Sequence, residues 1–365
     1  MQTGFTKTLS LIFTVILALP MFPKALFDYA VSAGSQNIVQ YERLQAMRKG
    51  EITVVDEQSF ASFDLACTTV KYNEVRTLTT HNSYKKALPE SLYNISTRVF
   101  GPDKFKSTMY EHNTLVNQLE NGVRGLELDI RWQPAGFKIC HSTAPDNLSN
   151  SPDWKMTLEE LKLWSNANPN HVPVTVLVEI KYDNPYRNPL YGKMNAERFA
   201  QLDETVKKIM GGKAVTAADF MGSYATLGAM VENNAWPTLS SLKGKFIFLL
   251  HPDNEYTALY INTDPTLKSR MFIPVISPGD IEKYHDYAAF LLYNSPDVLP
   301  IQELVAKNYI VRTMMDSGLV YDKARKEASL ESGAQMLSTD LEKGVILPKS
   351  DYAATLEGAF TIIDS

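Results

Sequence analysis

Between residues 75 and 338 the chain alternates short apolar runs with longer amphipathic stretches, and this alternation restricts the fold more than any other feature. The runs lie at 75–80, 123–130, 137–140, 174–178, 246–250, 271–276, 309–313 and 335–338. Apolar runs of this length, bounded by turn residues, read as buried strands. The stretches between them read as helices. Leu115, Val116 and Leu119 form a stripe ended by Gly122, a residue suited to the end of a helix. Thr157 and Glu160 have the spacing of a capping box, followed by Leu158, Leu161 and Trp164, and Asn168-Pro169 closes that helix. Trp154 and Trp164 are expected to pack. Residues 196–210, 301–307 and 321–332 also read as helical. Residues 182–245 exceed one helix; Asn184-Pro185 and Asn188-Pro189 mark turns there, and the block reads as decoration of one end of the fold. Strand and helix in alternation give a parallel sheet, and eight strands are the number that closes a β/α barrel. The expectation is an α/β protein built as a single TIM-type β/α barrel.

Such a barrel takes roughly 250 residues, so a chain of 365 has room for additions. Lys7 is followed by an uncharged stretch at 9–22. That is short for a transmembrane helix, which needs ~20 residues, but suits the apolar core of a signal peptide. Cleavage is expected after Ala25 or as late as Ala33, with an uncleaved anchor as the alternative. The expected plan is therefore a leader at 1–25, a preface at 34–70 packed on the barrel floor, the barrel at 71–345 and a tail at 346–365. Export would place the chain in a secreted, extracellular, periplasmic or lumenal setting. No later run is long and apolar enough to span a bilayer. Cys67 and Cys140 either pair or leave Cys140 a buried thiol. Asn94-Ile95-Ser96 and Asn147-Leu148-Ser149 have the form of glycosylation acceptors. The net charge of −5 argues against nucleic acid as a partner, and a monomer is expected.

The first four runs each deliver ionisable or metal-binding side chains at their carboxyl ends. His81-Asn82 follows 75–80, His141 follows 137–140, and Glu179-Ile180-Lys181 follows 174–178. Glu127 and Asp129 lie two apart within the second run, and so on one face of a strand. Barrel strands converge such side chains on a single mouth. Asn82, Glu127, Asp129 and Glu179 supply three carboxylates and an amide oxygen, donors that suit a hard cation such as Ca2+ better than Zn2+ or a redox metal. His81 and His141 then remain for proton transfer, one at the attacking and one at the leaving oxygen, an arrangement suited to phosphoryl chemistry. A cation beside them would neutralise phosphate oxygens, and Lys181 would pair with a phosphate. Taken singly, each of these residues has an ordinary structural reading. His112, His171, His251 and His285 are assigned that reading, and substitution of His112 or His171 is expected to be near neutral. Joint placement at strand ends, in barrel order, is what points to chemistry.

Thr80-His81-Asn82-Ser83-Tyr84, the segment from Gly122 to Asp129, Cys140-His141 and Leu177-Val178-Glu179-Ile180-Lys181 resemble the catalytic barrel of phosphatidylinositol-specific phospholipase C, most of all its secreted, calcium-dependent phosphoinositide phospholipase C-like group. Ala235-Trp236-Pro237-Thr238-Leu239, Tyr309-Ile310-Val311-Arg312-Thr313 and Ser332-Gly333-Ala334-Gln335 leading to Ser338-Thr339-Asp340 extend the resemblance over about 71 to 341. One departure stands out. The group's seventh-strand segment reads Arg-Thr-Arg-x-Asp, whereas Arg312-Thr313-Met314-Met315-Asp316 lacks the second arginine.

The resemblance implies Ca2+ held by Asn82, Glu127, Asp129 and Glu179, with His81 and His141 in catalysis. The reading is an exported Ca2+-dependent phosphodiesterase working peripherally at a membrane surface on phosphatidylinositol-like phospholipids. Attack by the inositol 2-hydroxyl would release diacylglycerol and a cyclic inositol phosphate. Lys181 is expected nearest the phosphate. Arg312 is expected further round the rim against the headgroup, or else in an ion pair with Asp316 or Asp340. Two rivals remain: a glycerophosphodiester phosphodiesterase, whose family carries Arg where Asn82 stands, and a non-catalytic lipid- or glycan-binding barrel.

Overall fold

The computed structural model describes residues 21–101, 105, 108–142, 144–182, 190–349, 352–356 and 360–363. The first twenty residues of the expected leader, and the turns expected at 184–185 and 188–189, lie outside them. Eleven strands form one sheet: β1 (Val75–Thr80), β2 (Gly125–Gln133), β3 (Gly136–Ile139), β4 (Val174–Ile180), β5 (Ala214–Val215), β6 (Phe246–Leu250), β7 (Ile273–Ile276), β8 (Phe290–Leu292), β9 (Ile310–Met314), β10 (Met336–Thr339) and β11 (Phe360–Ile362). Eight of them, β1, β2, β4, β6, β7, β8, β9 and β10, pair in parallel and close into a barrel through the β1–β2 and β1–β10 contacts. At the β1–β2 seam Thr79 faces Gly125. A Cβ on Gly125 would lie 2.2 Å from Thr79 Cγ2, so only glycine lets the two strands approach there.

The barrel is a TIM-type fold with eight strands, but one member differs from the sequence reading. The run at 137–140 is not a barrel strand. It is β3, which folds back antiparallel on the last residues of β2 through a tight turn at Pro134-Ala135, with Gly136 at φ +128°. Two residues cannot carry a parallel crossover, which needs a dozen or more. The strand missing from the sequence reading is β8, only three residues long, which is fixed by pairing with Val275 and Ile276 on one side and with β9 on the other. Lys181 therefore follows the third barrel strand rather than the fourth.

Helices α1 (Phe22–Arg48), α2 (Glu90–Phe100), α3 (Leu115–Glu120), α4 (Trp154–Ala167), α5 (Ala196–Met210), α6 (Ala217–Met221), α7 (Leu227–Glu232), α8 (Leu239–Leu242), α9 (Asn254–Thr263), α10 (Val298–Val305) and α11 (Lys323–Glu331) accompany the barrel. α4 starts earlier than its capping-box spacing indicates. Asp153 caps it by accepting from Met156 N at 2.9 Å, and Thr157 lies inside the helix with its hydroxyl on Asp153 O at 2.8 Å. A threonine can bond back to the carbonyl four residues before it, which makes such spacing ambiguous. Trp154 and Trp164 are fully buried.

The floor of the barrel is closed by segments from both ends of the chain. Arg124, just before β2, is fully buried and donates to both oxygens of Glu57; Glu57 Oε1 also accepts from Val172 N at 2.6 Å, just before β4. Residues 360–362, within the region expected as a tail, run antiparallel along the first half of β1. Among the described residues no helix is long and apolar enough to cross a membrane.

Candidate active site

The mouth is assembled from the ends of β1, β2, β4, β9 and β10 and the loops after them. After β1, Asn82 adopts φ +47°, a left-handed conformation that asparagine tolerates better than most residues, and the chain turns sharply behind His81. Ser83 then ties this turn to β2: its N–H donates to Glu127 O at 2.9 Å and its hydroxyl accepts from Glu127 N at 2.8 Å. Asn82 is thereby held beside Glu127. Its side-chain oxygen accepts from the Tyr84 hydroxyl at 3.1 Å, and its amide nitrogen donates to the Tyr110 hydroxyl at 2.8 Å. Those two bonds orient the amide and leave its oxygen a second lone pair.

Glu127 and Asp129 share the inner face of β2, and Glu179 lies beside Asp129 in the β2–β4 register. Oxygen atoms of the three carboxylates lie within 4.8 Å of one another. Asp129 is fully buried, and neither of its oxygens accepts a hydrogen bond in the structure. Burial raises its pKa to about 7; Lys181 opposes the shift, while Glu179 and Glu127 add to it. Buried carboxylate oxygens without donors, gathered with two further carboxylates, form a site that a hard cation fits. Lys181 lies against this cluster, 2.5 Å from Glu179 and 3.5 Å from Asp129.

Two imidazoles flank the cluster, each held at Nδ1 by a carboxylate. His81 Nδ1 is 2.8 Å from Asp340 Oδ1, and its Nε2 is 3.8 Å from Glu127 Oε1. His141 Nδ1 is 2.7 Å from Asp146 Oδ2. Burial disfavours charge on His81, but Glu127 and Asp340 outweigh it and hold the pKa at about 9. On His141, burial and the Lys85, Lys181, His81 and Arg131 cations together push the pKa down to about 4. The sequence had not marked Asp340 and Asp146 as supports for the histidines, although Asp146 lies only five residues beyond His141. It also missed Lys85, which is buried with its ammonium on Asp146. Burial lowers the Lys85 pKa to about 8, with Asp129 opposing.

Arg312 is placed differently from both sequence expectations. It is the middle residue of β9, not a strand end, and it is buried inside the barrel. Its guanidinium donates to Glu127 Oε2 at 2.6 Å and to Ser338 Oγ at 2.9 Å, and also contacts Asn294. Asp316 instead accepts from Asp340 N and from the Thr339 hydroxyl. His112 and His171, expected to tolerate substitution, are both buried. His112 bonds Glu342 through Nδ1 and the His81 carbonyl through Nε2, at 2.9 and 2.8 Å, so it sits directly behind the candidate catalytic histidine. His251 follows β6 with its Nδ1 3.2 Å from Pro252 O, and His285 lies on the surface beside Glu232. Cys67 and Cys140 are unpaired thiols, Cys140 buried 3.7 Å from the Tyr191 hydroxyl.

Oxygen donors beside two oriented imidazoles, at the mouth of a β/α barrel, are equipment for phosphate-ester chemistry. Residues 70–136 and 131–362 match the sequence profile of the family described as phosphoinositide phospholipase C, Ca2+-dependent. The chain belongs to that family and is an enzyme of the phospholipase C type, a phosphodiesterase. Among solved structures, it is similar to a calcium-dependent phosphoinositol-specific phospholipase C from Pseudomonas sp., with TM-score 0.58 and 19% identity over 77% of this chain and 93% of that one. A Ca2+-dependent phosphatidylinositol-specific phospholipase C from Streptomyces antibioticus aligns with TM-score 0.54 and 19% identity over 74% of this chain and 95% of that one. At this identity the likeness concerns the fold. A search of curated protein sequences gives no match.

Proposed function

We propose that the chain is an exported Ca2+-dependent phosphodiesterase that cleaves phosphatidylinositol-like lipids into diacylglycerol and a cyclic inositol phosphate. The observation that carries this reading is the pairing of an acidic cluster, whose buried Asp129 accepts no hydrogen bond, with two carboxylate-held histidines at one mouth. Asn82, Glu127, Asp129 and Glu179 would hold Ca2+. When bound, the ion supplies charge neutralisation at phosphate oxygens and acidifies a hydroxyl near it. His81 and His141 do the proton work: one takes the proton of the inositol 2-hydroxyl as it attacks phosphorus, and the other donates to the departing diacylglycerol oxygen. Asp340 and Asp146 fix the two rings for those transfers. Internal attack keeps nucleophile and phosphorus in one molecule, which removes most of the entropic barrier. Arg312 orients Glu127, and Lys181, held between Glu179 and Asp129, would pair with a substrate phosphate. Export is directed by the apolar leader within residues 1–25, and residues 71–345 form the catalytic unit.

The test is a panel of phosphatidylinositol, its phosphorylated forms and glycerophosphodiesters, assayed with Ca2+ or chelator and with product identification. A cyclic inositol phosphate formed only with Ca2+ supports the reading. Glycerol phosphate as the sole product would move the chain to glycerophosphodiester hydrolysis. Headgroup binding without turnover of any panel member would make it a binding barrel.

A further inference from the structure

The floorward course of α1 defines which way its other end points. α4 descends from the mouth to the floor, because it links β3 to β4. Along it, Gln40 of α1 bonds Thr157 at 3.0 Å and Arg43 bonds Glu160 at 2.9 Å, and beyond the helix Val55 N reaches Asn168 at 2.8 Å. The carboxyl half of α1 therefore runs down the outside of the barrel. The amino half stands against the mouth loops: Gln36 accepts from Ser149 N at 3.0 Å, Tyr29 donates to Asn147 at 2.7 Å, and Asp28 accepts from Ser91. At 1.5 Å per residue, residues 22–36 extend about 20 Å in that direction.

This amino end is part of the fold. Ala25 is 0% exposed and packs with Leu88, Leu92, Ile95 and Leu148 in a small core of its own. Its outer side has a different character. Phe22 and Leu26 are exposed, Phe27 is 68% exposed and Val31 52%, and Phe100 at the end of α2 is 57% exposed. Met21 lies against this same end of α2, its sulfur 3.5 Å from Arg98 Nη1. The amino end carries one charged pair, exposed Lys24 on Asp28 at 2.6 Å, and from Tyr29 to Tyr41 the helix carries no charged residue. A surface helix ordinarily turns its charged face to water. Here the exposed apolar side chains are most numerous at the amino end and continue down the helix at Ile38, Val39 and Tyr41; large apolar side chains gathered on an exposed face mark a contact surface. Asn147, to which Tyr29 is bonded, is the neighbour of Asp146, the carboxylate that holds His141. The uncharged segment at 9–22 leads into this same end.

We propose that the amino end of α1, with Phe22, Leu26, Phe27 and Val31, and the adjoining Phe100 form a lipid-docking tip that seats the barrel mouth on a bilayer; the choice of a bilayer as occupant rests on the lipid-cleaving reading above. A substrate with two acyl chains stays in its bilayer, so the mouth must be brought to it. The tip stands beside the mouth, and the residues leading into it are themselves apolar. It also requires the mature chain to keep Phe22 and Ala25, so processing after Ala25 or Ala33 is incompatible with it.

The experiment uses the full chain in a Cys67→Ser background, with phosphatidylcholine vesicles carrying a lipid-borne quencher. A fluorophore on Phe27→Cys should be quenched when vesicles are added, and one on Glu327→Cys, on α11 away from the tip, should not. The double variant Leu26→Ser/Phe27→Ser should partition into plain phosphatidylcholine vesicles about a hundredfold less, roughly tenfold for each side chain. Its turnover of a dispersed short-chain phosphoinositide should be unchanged. Equal quenching at the two positions, wild-type partitioning of the double variant, a dimer broken by the double variant in place of vesicle binding, or an exported chain beginning after Ala25 would each overturn the proposal. Vesicle binding through the tip without cleavage of any phosphodiester lipid would leave the docking surface standing and remove the proposed reaction instead.

Discussion

The floor and the mouth of the barrel, joined by β2, carry buried charges of opposite character. At the floor, the Arg124 guanidinium donates to Glu57 and to the Leu119 and Val123 carbonyls, both at 2.7 Å, and lies 5.2 Å from the Trp164 ring. Its partner Glu57 also takes a backbone N–H. Five residues further on, Asp129 is just as buried, accepts no hydrogen bond on either oxygen and has only the Lys181 ammonium 3.5 Å away as a counter-charge. An ion pair with all its partners in place serves the fold, whereas removal of one partner leaves a costly uncompensated charge. A buried carboxylate left without donors persists because the surrounding fold supports it, and such sites are where function is found. A structural charge at the floor and a candidate chemical one toward the mouth therefore stand five residues apart along the same stretch of chain.

The sharpest way to break this contrast is to remove the two histidines at the mouth. His81→Ala and His141→Ala should each lower kcat by roughly 10²–10⁴ while leaving the melting temperature close to wild type, since losing a positioned acid or base costs about that much. A matching loss of stability would move these residues to the structural side. At the floor the opposite outcome is expected. Arg124→Met should destabilise the fold by about 3–5 kcal/mol in urea unfolding, because Glu57 stays buried without its cation. The folded fraction of that variant should retain wild-type kcat.

Cation binding comes next in size. If the acidic cluster is a Ca2+ site, Ca2+ at a hundred times its Kd should stabilise the protein by about 2.7 kcal/mol, seen as a rise in Tm that chelator reverses. Asp129→Asn should abolish that rise without lowering the Tm of the metal-free protein, because the Lys181 contact it loses is offset by relief of repulsion from Glu127 and Glu179 and of a buried charge. A marked drop in the metal-free Tm would show that Asp129 is a structural residue like Arg124.

The contrast also marks what the sequence could and could not reveal. Apolar runs of five or more residues were legible as strands, and the Glu127-x-Asp129 spacing placed both carboxylates on one face. β8 was not legible: three residues carry no periodicity, and only pairing with β7 and β9 makes Phe290–Leu292 a strand. The run at 137–140 was misread because its apolar pattern fits any strand, and the Pro134-Ala135-Gly136 turn that makes it a hairpin outweighs that pattern. The residues that hold the site were hidden for another reason. Asp340 reaches His81, and Arg312 reaches Glu127, across 259 and 185 residues of chain, distances that only barrel closure removes. The same holds for Arg124 and Glu57, which meet across 67 residues.

The last prediction separates a floor histidine from the mouth histidines by pH. His171 lies in the loop before β4, donating from Nδ1 to Val172 O at 2.7 Å, with Nε2 2.8 Å from Ser165 Oγ. Its ring packs between Trp164 and Phe246, at 4.9 and 5.5 Å between centroids. Burial pushes its pKa to about 3, the Val172 carbonyl opposing and Arg124 and Lys213 adding, from 6.5 in the unfolded chain. Between those two values the unfolded chain holds a proton that the folded chain does not. Stability therefore rises with pH across this window. The His171 contribution is complete above about 6.5 and is lost as pH falls toward 3, with a slope of at most about 1.4 kcal/mol per pH unit. Unfolding free energies of wild type and His171→Gln, measured at steps from pH 7 to pH 4, should show a flatter acid limb in the variant by up to that amount. His141→Gln should flatten it less, because 42% of that side chain is exposed and water screens its charge. Equal acid limbs in wild type and His171→Gln would mean that the floor tolerates a charge there, and the division between a sealed floor and a reactive mouth would fail at its floor end.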